Sequence, residues 1–99
     1  KIMLQRNMAI PLSLQLGLDD LLADMRHARR RGDLGRLALT AYCDVRRWAR
    51  QAGESDIARQ SMAMFTEKPH ASREAFLDKV DLLLHDLEAL QSRLPATRG

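Results

Sequence analysis

The stretch Ser72–Leu94, SREAFLDKVDLLLHDLEALQSRL, decides the fold. Phe76, Val80, Leu83, Leu87, Leu90 and Leu94 follow one another at alternating steps of four and three, the spacing that stacks side chains along one stripe of an α-helix. Leu77 and Leu84 widen the stripe on one flank, which suits a bundle core rather than the narrow seam of a two-stranded coiled coil. Ser72 is placed to cap the first turn and Pro95 to close the last.

The same spacing recurs upstream. Leu34, Ala38, Ala41, Val45, Trp48 and Ala52 predict a second helix, opened by Asp33 and stopped by Gly53. Before it, Leu18 to Arg31 carries Asp19, Asp20 and Asp24 early and Arg26, Arg29, Arg30 and Arg31 late, the charge order that a helix dipole favours, with Gly32 as the stop. A shorter helix starts at Ser55 or Asp56, with Ile57, Ala58, Met62 and Phe65 as its apolar face. It ends at the TEKPH stretch, where Pro69 forbids a continuous helix. Helices joined by short turns alternate up and down, so the expected fold is all-α, a small antiparallel bundle of about four helices. The second helix and the last share one seam pattern and are expected to form the main pair of the core.

The first 17 residues read two ways. Ile10, Leu12, Leu14, Leu16 and Leu18 alternate with other residues, the period-two pattern of a strand. Leu14, Leu18, Leu21, Met25 and Ala28 fit a helix instead, with Ser13 as its cap. Pro11 and Gly17 disfavour a long helix start, and one strand without a partner makes no sheet. The organisation read from the chain is an extended N-terminal arm over 1–17, a single bundle domain over 18–95, and a flexible tail over 96–99.

Composition sets limits. At 99 residues the chain can hold one domain around one core. Its apolar share of 45% is that of a globular protein rather than a disordered one. No run approaches the ~18 apolar residues of a membrane span, so no membrane partner is expected. Cys43 is the only cysteine, which excludes an internal disulfide or a cysteine-based zinc site and favours a reducing compartment, the cytoplasm. Gln5, Arg6 and Asn7 interrupt the opening apolar residues, which read as a tail rather than a signal peptide.

Charge is unevenly spread. Residues 1–53 carry ten basic against five acidic side chains, and residues 54–99 six against eight. Arg26, Arg29, Arg30, Arg31 and Arg36 gather at the corner between the first two helices, and Arg46, Arg47 and Arg50 lie further along the second. Guanidinium groups contact phosphate in pairs, so these positions are the candidate polyanion site, with nucleic acid as the partner it would take. No aromatic residues interleave for base stacking, and no docking motif accompanies the arginines. Positive neighbours of Cys43 could activate its thiol, but coverage by another helix would leave it a small inert hydrophobe. Asp81, His85 and Glu88 share a face at metal-ligand spacing, yet it is the polar face and reads as solvated surface. No phosphate-binding loop, nucleophile elbow or paired histidines appear, so no catalytic residue, cofactor or metal is assigned. Met25, Met62 and Met64 read as adaptable core packing.

The function expected from these features is a non-catalytic helical protein–protein interaction module. It would self-associate as a homo-oligomer or bind a partner protein, through apolar residues the bundle does not need: Ile10, Leu12, Leu14, Leu16, Leu39 and Leu82. A nucleic-acid-binding or regulatory role for the two arginine groups is the alternative.

Overall fold

Four helices account for nearly all of the residues that the computed structural model describes, 10–66 and 72–94. They are α1 (Leu12–Arg31), α2 (the consecutive segments Leu34–Leu39, Thr40–Asp44 and Val45–Ala52), α3 (Ser55–Thr66) and α4 (Arg73–Arg93). No strand occurs among the described residues. Pro69, Pro95, residues 1–9 of the expected arm, the tail and the Phe65 side chain lie outside them.

The expected stops and caps are present. Gly32 and Gly53 sit at φ 70° and 76°, the left-handed conformation that closes a helix and that side chains with a Cβ resist. The Asp33 carboxylate accepts from the Arg36 backbone N–H, and the Ser72 hydroxyl accepts from that of Ala75. These short links turn the chain back on itself.

The start of α1 departs from the extended arm expected over 1–17. The helix begins at Leu12, and the Pro11 carbonyl accepts from the backbone N–H groups of Leu14 and Gln15 at 3.0 Å. Pro11 does not prevent this, because it stands just before the first turn, where its missing N–H is not needed. Gly17 does not prevent it either, because Trp48 lies over it. Trp48 Cδ1 would sit 3.6 Å from a Cβ at that position, and the indole N–H donates to the Leu14 carbonyl at 2.7 Å. Tertiary packing outweighs the roughly 1 kcal/mol that a glycine costs a helix interior.

α1 packs against α2 and α4, and α3 packs against the same two. The helices thus form a ring, with α2 and α4 on one diagonal. This corrects the expectation that α2 and α4 form the main pair. Both present their seams to the core, but they meet across it, the rings of Tyr42 and Phe76 touching edge to face with centroids 6.3 Å apart. The neighbours of α4 are α1 and α3. Polar contacts fix α1 and α4 as antiparallel: Asp19, Arg26 and Arg29, rising along α1, meet Gln91, Glu88 and Asp81, falling along α4.

The stripe from Phe76 to Leu90 is buried as expected, with Val80, Leu83 and Leu87 fully inaccessible. Each such side chain contributes about 1.5–3 kcal/mol relative to exposure. In α2 the seam is shifted. Leu37, Ala41, Val45 and Ala49 are all fully buried, whereas Leu34, Ala38 and Ala52 are only half-buried. Steps of four overshoot a 3.6-residue turn by about 40° each, so a straight helix could not keep these residues in line. One wider turn over Thr40–Asp44, where the Val45 N–H donates to the Thr40 carbonyl five residues back, takes up the drift. The fully buried Ser61 hydroxyl donates to the Ala41 carbonyl inside that turn.

Candidate interaction surfaces

The arginines read together in the sequence are separated by the fold. Arg26 donates from Nε and Nη2 to one Glu88 oxygen at 3.0 and 2.8 Å. Arg29 forms a fork on Asp81, Nε to Oδ1 at 2.9 Å and Nη2 to Oδ2 at 3.1 Å. That hydrogen bonding raises the Arg29 pKa above its ordinary value, with partial burial opposing it and the charges of Asp81 and Asp78 adding to it. Both pairs are partly exposed and contribute about 0.2–1 kcal/mol each. Their larger effect is to spend two arginines of the corner cluster on holding α1 to α4. They also account for Asp81 and Glu88, the two carboxylates of the metal reading, and His85 stands exposed beside them. Among the described residues no three side chains gather as a metal site.

Arg30, Arg31 and Arg36 remain exposed at the corner. The second group is on the outer side of α2. Cys43, Arg46, Arg47, Arg50 and Gln51 line a shallow groove there. Arg46 Nη1 lies 3.3 Å from the Met62 sulfur, a weak acceptor that leaves the guanidinium its charge. Arg47 and Arg50 form no ion pair among the described residues. Cys43 is exposed, so the covered, inert position considered for it is not the one it occupies.

The six apolar candidates also divide. Ile10 is buried at 8% exposure, its carbonyl accepting from the Gln15 side chain at 3.1 Å, and Leu14 packs half-buried on the core. These two belong to the chain's own interior, because the helix extends through them and turns Leu14 inward. Leu12, Leu16, Leu39 and Leu82 are exposed, Leu39 at 50% and Leu82 at 61%. Leu82 borders a groove between α3 and α4 formed with Gln60, Ala63, Met64 and Lys79. Of the methionines, Met25 and Met64 are core, but Met62 is exposed, against the apolar face expected of α3.

Sequence reasoning passed over Gln15 and Ser61, buried polar residues that look like surface positions in the sequence. Gln15 Nε2 ties down the segment before α1, and Ser61 braces the wide turn of α2. No pattern of neighbouring residues announces either role, since each depends on which helix face turns inward.

Together these features define a small all-helical bundle with a filled core and oppositely charged outer helices. No family model, curated protein or solved structure matches the chain. No described helix is long and apolar enough to cross a membrane.

Proposed function

We propose that the chain is a non-catalytic helical protein–protein interaction module that self-associates, and that it works in the cytoplasm. The observation that carries this reading is Leu82, 61% exposed on the helix that supplies most of the core, next to fully buried Leu83. A scattered exposed leucine is ordinary. Here, however, Leu82 borders a groove and Leu39, Leu12 and Leu16 are exposed as well, more apolar surface than the bundle needs to fold. The exposed Cys43 thiol supports a reducing compartment. Sedimentation over the micromolar range tests the reading: the average mass should rise with concentration, and a monomer throughout would defeat it.

A second reading has its own observation, the unneutralised arginines along α2. A polyanion such as single-stranded nucleic acid would then lie along α2 and leave the α1 corner aside. Retention on heparin at low salt should fall when Arg46, Arg47 and Arg50 become Gln, and should be unchanged by Arg26→Gln with Arg29→Gln. Loss through the second pair instead would defeat this reading.

A further inference from the structure

The two helices on one diagonal of the ring carry opposite charge on the sides turned away from the core. α2 holds Arg36, Arg46, Arg47 and Arg50 against a single acid, Asp44. α4 holds five carboxylates against Arg73, Lys79 and Arg93, and Asp81 and Glu88 are occupied by α1. The acids left on its surface, Glu74, Asp78 and Asp86, are all exposed. Each face also has one exposed leucine among its charges, Leu39 on α2 and Leu82 on α4.

We infer that a second copy of this chain lays the outer face of its α2 antiparallel along the outer face of α4, with Leu39 against Leu82. This rests on the reading of the chain as a self-associating module and specifies the contact. Charge selects the direction. With the leucines aligned, the antiparallel register sets Arg36 beside Asp86, and Arg46 and Arg47 beside Glu74 and Asp78. The parallel register would set Arg36 against Lys79 and Arg50 against Arg93, pairs that repel. Because α2 and α4 are diagonal neighbours, the two faces point to opposite sides of the molecule. One copy therefore offers a basic face to one neighbour and an acidic face to another, and the contact is head-to-tail rather than a closed two-fold. A helix-on-helix contact of this extent is at the small end of specific interfaces, so the association is weak and of micromolar order. It is screened as salt approaches 1 M, where charges act over only ~3 Å.

Two blunted chains test the contact. One carries Leu39→Ser, Arg46→Gln and Arg47→Gln on α2, the other Leu82→Ser, Glu74→Gln and Asp78→Asn on α4, none of them in the core. Sedimentation of the unaltered chain should show species growing beyond the dimer with concentration. Each blunted chain alone should remain monomeric at concentrations at least tenfold higher. The equimolar mixture should form a one-to-one dimer and stop there, since only one intact contact can be made. That dimer also reports that both variants are folded. Self-association of either blunted chain at the unaltered strength would overturn the inference while leaving self-association through another surface intact. A monomeric unaltered chain would overturn both. Loss of single-stranded RNA binding in the α2 variant, with self-association unchanged in both, would assign the basic face to a polyanion and likewise overturn it.

Discussion

The indole N–H of Trp48 donates to the backbone carbonyl of Leu14 at 2.7 Å, tying the middle of the chain to the first turn of α1. Trp48 is 6% exposed and is the only tryptophan, so its fluorescence reports this junction alone. Trp48→Phe removes the donor and leaves a void over Gly17. It should cost about 2–4 kcal/mol in urea unfolding, from the lost hydrogen bond and the cavity together.

The glycines of α1 and of the α2–α3 link should respond in opposite directions to alanine. At Gly17 a Cβ meets Trp48 only at ordinary contact distance, 3.6 Å, so Gly17→Ala should stabilise by about 0.5–1 kcal/mol. Gly53 has nothing within 4 Å but holds φ 76°. Gly53→Ala should therefore destabilise by about 1 kcal/mol through its backbone alone. Thermal midpoints of the two variants provide the comparison.

Ser61→Ala should destabilise by about 1–3 kcal/mol although it removes a single oxygen. The hydroxyl is fully buried and serves the Ala41 carbonyl within the wide turn of α2. Its loss strands a buried acceptor. Amide hydrogen exchange should quicken first around Thr40–Asp44, before the rest of α2 is affected.

Tyr42 should make the fold less stable in alkali. Burial raises its pKa above the ordinary tyrosine value, because the packed site disfavours the phenolate. A group whose folded pKa is raised contributes stability that is fully present below its unfolded pKa. That contribution is lost as pH rises through the folded value. The tyrosinate absorbance of this single tyrosine should therefore appear at higher pH in the folded than in the denatured chain. Tyr42→Phe should lose less stability than the parent chain above pH ~10.

Much of the architecture was legible in the sequence, and particular residues explain why. The four-three stripe of α4, the stops at Gly32 and Gly53 and the caps at Asp33 and Ser72 are local signals, and each is where it was expected. The start of α1 was less legible because Pro11 and Gly17 are breakers by local rule, and the tryptophan that overrides the rule lies more than thirty residues away. The wide turn of α2 was invisible because a regular seam through Ala38 and Ala41 satisfies the same pattern that Leu37 and Ala41 satisfy in the structure. At the surface the arginines were readable as a charge excess. Which of them are spent depends on the α1–α4 register, which brings Arg26 to Glu88 and Arg29 to Asp81 from opposite ends of the chain.

That register makes the first and last described helices neighbours, so α1 begins near the place where α4 finishes. Ile10 and Leu94 in fact line one hollow together with Glu54, Leu90 and Arg93. A flexible bridge of a few residues from one to the other, with a new opening cut at the exposed Gly53, would rewrite the order of the helices without moving any of them. In such a permuted chain the Asp19–Gln91 hydrogen bond, between residues 72 apart in the parent, becomes a hairpin contact. The same cut makes the closely packed α2–α3 pair the distant one, and because distant contacts form with more loss of chain entropy, the permuted chain should fold more slowly than the parent.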